Sequence, residues 1–179
     1  MTAGNLRSAY GGESMAYMRY MIWGDKAEAE GFSRVARLFR AIAHAETIHA
    51  TNHFTELSDE VGPYLVASMA GFGQGSTSQN LEGAIEGETF EIEEMYPAYL
   101  ETAKSQKERG AVLSFHYALS AEKTHAEMYQ RAKDAVDEGR DLELGPVQVC
   151  EVCGWTAEGE IPDKCPICAA TREKFRKFA

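Results

Sequence analysis

Ala45-Glu46-Thr47-Ile48-His49 and Ala121-Glu122-Lys123-Thr124-His125 decide the reading of this chain. Each places a Glu and a His three residues apart. On an α-helix those positions share one face, one turn apart. A carboxylate and an imidazole so placed can grip one metal ion. Two such pairs, each preceded by a helix with an inward Glu, are a known way to build a two-metal site inside a four-helix bundle.

The rest of the sequence fits four rods around that site. The first helix is expected over about 5–30. Leu6, Tyr10, Glu13, Ala16, Tyr17, Tyr20 and Gly24 follow its three-and-four spacing, and Glu13 sits among apolar neighbours. After Gly31 a second helix is expected over about 32–60, with Val35, Leu38, Phe39, Ile42, Glu46, His49, His53 and Leu57 inward. His53 is expected as a hydrogen-bonding or surface histidine, and His44 as structural. A third helix, capped by Thr77 or Ser78, should run to about 109, with Glu88 and Glu91 facing the same way. Most of its other acidic residues (Glu82, Glu86, Glu93, Glu94, Glu101) read as a solvated face. Pro97 removes an N–H from this helix, so a kink or bulge is expected between Glu93 and Pro97. The fourth helix should occupy about 111–138, with Glu122, His125 and Tyr129 inward. Segment 62–79 reads as a long crossover whose apolar part forms a short helix.

The two halves echo each other. Glu13 precedes Glu46 by 33 residues, and Glu88 precedes Glu122 by 34. The spacing predicts a pseudo-symmetric site, one metal held largely by each half.

The formal net charge of −10 argues against nucleic acid, which calls for a basic stripe. No apolar run reaches the roughly 18 residues of a membrane span, and the first residues lack the features of a signal peptide. A cytoplasmic protein is expected. All four cysteines fall in two C-x-x-C pairs near the end: Cys150, Cys153, Cys165 and Cys168. Without an export signal this reads as a metal site rather than disulfides. Four thiolates suit Zn(II) or iron. So short a domain needs the metal to fold. Trp155, Ile161, Phe175 and Phe178 are expected to pack round it. The expected units are a bundle over 1–140, a linker over 141–146 and a metal-binding domain over 147–179.

Taken together, the motifs resemble the rubrerythrin family over nearly the whole chain. They are Glu13-Ser-Met-Ala-Tyr-Met-Arg-Tyr20, Glu46-x-x-His49, Glu86-Gly-Glu88-x-x-Glu91 followed by Met95-Tyr96-Pro97, Glu122-x-x-His125 and the terminal cysteine pairs. Two departures stand out: only 11 residues separate Cys153 from Cys165, and Trp155 replaces a usual Tyr. The resemblance implies a ferritin-like all-α four-helix bundle with a rubredoxin-like domain, acting as a non-haem peroxidase. It implies Glu13, Glu46, His49, Glu88, Glu91, Glu122 and His125 as ligands of a di-iron centre. One of those irons could be replaced by Zn or Mn, and the four-cysteine site holds Fe or Zn. It implies that one iron exchanges Glu91 for His49 on reduction, with Tyr20 and Tyr96 hydrogen-bonding nearby.

Carboxylates with one imidazole per metal suit iron or manganese. Two ferrous ions hold the two electrons that split hydrogen peroxide into two waters, and a ligating Glu or a nearby Tyr can deliver protons. The four-cysteine centre would return electrons, fed by an NAD(P)H-dependent reductase or a rubredoxin-type donor. Because a tethered domain at the end of a long bundle is not expected to reach its own cluster, a homodimer is expected, each C-terminal domain serving the other bundle. The rival readings are ferritin-like iron oxidation or storage, and a zinc-ribbon interaction module on a metal-sensing bundle.

Overall fold

The computed structural model describes residues 1–179. Helices α1 (Thr2–Ala29) and α2 (Ser33–Thr55) form an antiparallel pair. The turn between them uses Gly31 at φ +91°, a backbone region open to glycine. At Gly24 an added Cβ would lie 3.3 Å from the Ala36 carbonyl and from Phe39 Cβ, so the lack of a side chain there lets the two rods approach. Helix α2 stops at Thr55, some five residues before the expected end, and 56–59 continue as turns.

Segment 60–76 crosses the bundle without helix, so the short helix expected there is absent. The apolar side chains of this segment find no second layer to cover them: Leu65 is 98% exposed and Phe72 92%. The third rod begins at α3 (Thr77–Phe90). Its cap is Ser76, one residue before the expected cap, and Ser76 and Gln79 satisfy each other's backbone N–H groups in a capping box. Thr77 is instead held by Glu30, whose carboxylate accepts from both its N–H and its hydroxyl. Those bonds, with Lys26, hold the Glu30 carboxyl down at about 2.

The expected bulge is present and lies slightly earlier, as a π-helical turn over Glu91–Met95. There the Tyr96 N–H donates to the Glu91 carbonyl, five residues back. The wider turn absorbs the missing Pro97 N–H and re-aims the side chains beyond it. Tyr96, the first residue of α4 (Tyr96–Gln106), becomes fully buried. The fourth rod is α5 (Arg109–Asp137).

Two apolar cores divide the bundle. One gathers Tyr20, Trp23, Phe39, Ile42, Leu81 and Tyr129. The other gathers Leu6, Tyr96, Leu100 and Phe115. Along every rod the acidic and histidine candidates fall between the two. The sheet that follows has the order β2-β1-β3, all antiparallel: β1 (Val147–Cys150), β2 (Thr156–Glu158) and β3 (Phe175–Phe178). Val147 and Val149 of β1 join the first bundle core, together with Leu142 and Leu144 of the linker. The linker is therefore fastened rather than free. Asp141 accepts from the Arg34 and Val35 N–H groups at the start of α2, and Arg37 donates to the Leu144 and Gly145 carbonyls.

Candidate metal centre

Six of the seven carboxylates and imidazoles meet at the middle of the bundle. Glu13, Glu46, His49 and Glu122 bring one ligand atom each to within 4.8 Å of one another, and Glu46, Glu88, Glu122 and His125 do the same beside them. Glu46 and Glu122 belong to both groups. All six residues are buried. His49 Nδ1 lies 2.9 Å from Glu46, 2.8 Å from Glu122 and 3.7 Å from Glu13. His125 Nδ1 lies 2.6 Å from Glu122 and 3.6 Å from Glu46.

Glu91 stands outside both groups. The residue lines a cleft of about 620 Å³ with Arg19, Trp23, Phe90 and the glycine-rich end of the crossover, while its carboxyl is buried within reach of the charges of Glu13, Glu122 and Glu46. His49 belongs to the group that holds Glu13, and Glu91 does not. Glu91 opens the wide turn, and its charge still acts on Glu88.

The chemistry of this cluster calls for cations. One oxygen on each of Glu13, Glu46, Glu88 and Glu122 is buried without a hydrogen-bond partner, a state that costs about 1–3 kcal/mol per group or more when charged. His49 Nε2 faces the Cys153 carbonyl at 3.1 Å. A carbonyl only accepts, so Nε2 carries the proton and Nδ1 turns its lone pair on the carboxylates. Lone pair against lone pair at under 3 Å needs a proton or a metal between them. A proton satisfies one such pair and leaves the orphaned oxygens. A pair of metal ions held by these residues would satisfy them all.

The charge distribution without metal follows from burial. Burial, then the charge of Glu122, pushes Glu46 and Glu88 well above the usual carboxylate range. Burial, then Glu13, does the same to Glu91. Burial also acts upward on Glu122, but His49 and His125 outweigh it and hold that carboxyl down. Burial acts downward on His49, and Glu122, Glu46 and Glu13 outweigh it, so its imidazolium is favoured.

These directions predict how metal-free protein responds to pH. Glu46, Glu88 and Glu91 bind protons more tightly folded than unfolded. Their contribution is full below the ordinary value of 4.5 and is lost as pH rises toward their folded values. That of His49 is lost further up, above 6.5. Fewer groups act oppositely: Glu122 loses its contribution below 4.5, and buried neutral His53 and the lowered Cys150 thiol favour the fold as pH rises toward 6.5 and 9.0. The thermal midpoint of metal-free protein should therefore fall from pH 5 to pH 8. Each tenfold change in proton affinity is worth about 1.4 kcal/mol, or about 3–6 °C in a chain of this size. Metal-loaded protein should stay flatter, since cations replace the protons. Calorimetric melts of both forms check this; a midpoint that rises with pH in the metal-free form would contradict it.

Tyrosines flank the cluster on both sides. The Tyr20 hydroxyl donates to Glu88 at 2.8 Å. The Tyr96 hydroxyl donates to Glu13. His53 lies against Tyr96, its Nε2 3.0 Å from that hydroxyl and its Nδ1 2.8 Å from the Ser114 hydroxyl. Burial holds the His53 imidazole below its ordinary value, hence neutral. Since Tyr96 gives its proton to Glu13, it accepts from His53 Nε2–H, and Ser114 donates to Nδ1. His53 is thus a buried hydrogen-bonding residue. Ser114 as its partner left no mark in the sequence pattern.

The four cysteines converge as the spacing predicts. Cys150 and Cys168 sulfurs are 3.5 Å apart, as are those of Cys153 and Cys165, and none is in a disulfide. A tetrahedron with metal–sulfur bonds of about 2.3 Å has edges of roughly 3.8 Å. Bonds from the Cys153 thiol and from the Val152 and Cys153 N–H groups bring the Cys150 thiol down to about 5, whereas burial lifts Cys168 to about 12. Trp155 and Phe175 pack round the sulfurs, edge to face. Ile161 is buried, but outside the side chains that line the sulfurs. Phe178 instead packs on the bundle core and the His44 ring, because β3 carries it back toward α2.

The C-terminal domain does reach its own bundle, contrary to expectation. Cys153 meets His49 as described. Thr156 Oγ1 lies 2.9 Å from His125 Nε2. Asn52 donates to the Val152 carbonyl and His44 pairs with Glu151 at 2.8 Å. The fastened linker holds β1 along α2, which removes the slack assumed for a tether.

Comparison with known proteins agrees with this architecture. The family described as rubrerythrin matches residues 4–133, and the rubrerythrin rubredoxin-like domain matches residues 148–176. Rubrerythrin-2 of Clostridium acetobutylicum is 51% identical, over 99% of this chain and 97% of its own. Nigerythrin of Nitratidesulfovibrio vulgaris is 32% identical, over 99% of this chain and 86% of its own. The structure of fully reduced, all-ferrous nigerythrin superposes with a TM-score of 0.87 at 32% identity, covering 99% of this chain and 87% of that one.

Proposed function

This chain belongs to the rubrerythrin family and is a peroxidase that reduces hydrogen peroxide at a di-iron centre, and we propose how its residues divide that work. Glu13, Glu46, His49, Glu88, Glu122 and His125 hold the two irons, with Glu91 as the alternative to His49. Cys150, Cys153, Cys165 and Cys168 hold a third. When bound, the iron pair supplies the two electrons that cleave the O–O bond.

The protein's own groups handle protons and access. Tyr96 holds a proton at its hydroxyl against Glu13, and neutral His53 with Ser114 stands ready to replace it. Tyr20 holds one against Glu88. Glu91 lies between the cluster charges and the cleft from which a small substrate would arrive.

The contact of His49 with the Cys153 carbonyl carries this reading. It links a sulfur-bearing residue of one centre to an imidazole of the other through a single hydrogen bond. Cys168 is the one partly exposed cysteine. Electrons therefore enter at the Cys168 edge from an NAD(P)H-dependent reductase or a rubredoxin-type donor, and leave through Cys153. A metal-bound thiolate set with an exposed edge suits the reducing cytoplasm, and no helix here is long and apolar enough to cross a membrane. The functional units are the bundle over 1–140 and the sulfur domain over 147–179, with 141–146 as a fastened linker. A homodimer is proposed on new ground: the crossover exposes the apolar side chains of Val61, Leu65, Met69 and Phe72, which a second copy would cover. Sedimentation as a monomer at micromolar concentration would remove that part.

The decisive experiment adds peroxide to iron-loaded protein with NAD(P)H and a reductase. Sustained turnover at one NAD(P)H per peroxide is expected. Consumption that stops when added ferrous iron is spent would favour ferritin-like iron oxidation instead.

A further inference from the structure

We propose that Thr156 is a positioning residue for the bundle metal site, acting through His125, and that the docked sulfur domain thereby couples the metal affinities of the two sites. The proposal rests on His125 being a ligand, as assigned above.

The argument is a proton count. Thr156 is 1% exposed, and its hydroxyl sits between two groups, the Gly154 carbonyl at 3.0 Å and His125 Nε2 at 2.9 Å. The hydroxyl has one proton. The Gly154 carbonyl only accepts, so the proton goes there. The hydroxyl oxygen must then accept from His125 Nε2–H. That fixes the tautomer and leaves the Nδ1 lone pair facing Glu122 and Glu46. Strand register makes this contact possible. Thr156 pairs with Val149, so the two side chains share the sheet face that lies on the bundle.

His49 is fixed in the same way by the Cys153 carbonyl. Both imidazoles therefore take their outer hydrogen bond from one turn, residues 153–156. That turn is also the frame of the sulfur site: Gly154 N–H donates to the Cys150 carbonyl, and Cys150 N–H to the Trp155 carbonyl. A C-x-x-C turn without its metal loses the constraint that shapes it. Loading the sulfur site thus pre-orients both imidazoles, and by reciprocity a loaded bundle favours the docked, metal-bound turn.

The test uses the full chain with Zn(II) in the sulfur site and titrates the bundle with Co(II) against a chelator. Thr156→Val should weaken one of the two Co(II) sites by about 10–100-fold, while Thr156→Ser stays within about threefold of the parent. In the Co(II)-loaded parent, proton NMR should show a slowly exchanging, hyperfine-shifted imidazole N–H that Thr156→Val loses. A change in packing alone would not remove that signal selectively. Retention of one Zn(II) per chain shows that valine leaves the domain folded; if it does not, Thr156→Ala removes the hydroxyl without a second methyl and reads the same affinity. The Cys150→Ser/Cys165→Ser chain, unable to hold Zn(II), should bind bundle Co(II) at least about tenfold more weakly. Unchanged affinity in Thr156→Val overturns the positioning role, and unchanged affinity in the cysteine variant overturns the coupling. A His125→Gln chain that binds Co(II) like the parent would instead show the ligand assignment itself to be wrong.

Discussion

Gly154→Ala, loaded with its full complement of metals, is expected to show reductase-driven peroxide turnover cut by about 100-fold or more. Gly154 has φ +80°, and a Cβ there would lie 2.1 Å from His49 Nε2 and 2.7 Å from Cδ2. The His49 ring cannot yield, because it is buried between Glu46, Glu122 and Cys153. The sulfur domain must lift away instead. Alanine at a left-handed position costs about 1–2 kcal/mol. Metal binding to such a domain is worth apparent values of about 10–16 kcal/mol, so the domain itself survives. What fails is alignment, and a misplacement of about 1 Å can cost about 100-fold. The check has two arms, run on protein of verified metal content. Steady-state turnover through the sulfur site should collapse. A single turnover of protein whose bundle was reduced beforehand with dithionite should slow by less than about tenfold. Steady-state turnover equal to the parent's would mean that docking in this geometry is not the working arrangement.

Glu122→Gln is expected to empty both bundle positions, whereas Glu88→Gln should empty one. Glu122 contributes to both groups of converging atoms, and Glu88 to one only. The amide keeps the volume and loses the charge that the two imidazoles hold in place. Losing an outer hydrogen-bond partner typically costs about 10–100-fold in metal affinity. Losing an anionic ligand outright should exceed that at each position. Elemental analysis after dialysis against a chelator should find the sulfur-site metal alone in Glu122→Gln. In Glu88→Gln it should find that metal and one more. Peroxidase activity should vanish in the first. Two bundle metals retained by Glu122→Gln would dismiss its part in both positions.

Much of the site was legible in the residue order, for a definite reason. Helical periodicity fixes which side chains of one rod share a face, so Glu46 with His49, Glu122 with His125, and inward Glu13 and Glu88 could be read directly. Pro97 announced the irregular turn beside them because a missing N–H has only local remedies. The C-x-x-C spacing fixed the sulfur site because four thiolates at those intervals have few other uses in a chain of this kind. Where the reading faltered, the cause was contact between distant segments. The crossover forms no helix because its apolar residues meet no second layer. Phe178 leaves the sulfurs because β3 pairs with β1 and is carried against α2.

The sequence by itself determined the four rods, the identity of the groups able to bind metal, and the separate sulfur-bearing unit, since each depends on intervals of a few residues. The tertiary structure alone decided that His49 joins the converging groups and Glu91 does not, and that the sulfur unit rests on its own bundle. It alone supplied Cys153 and Thr156 to the outer nitrogens of the two imidazoles. Those contacts join residues 104 and 31 positions apart. No periodicity encodes them; they follow from how a twisted three-stranded sheet and a fastened linker settle on α2 and α5.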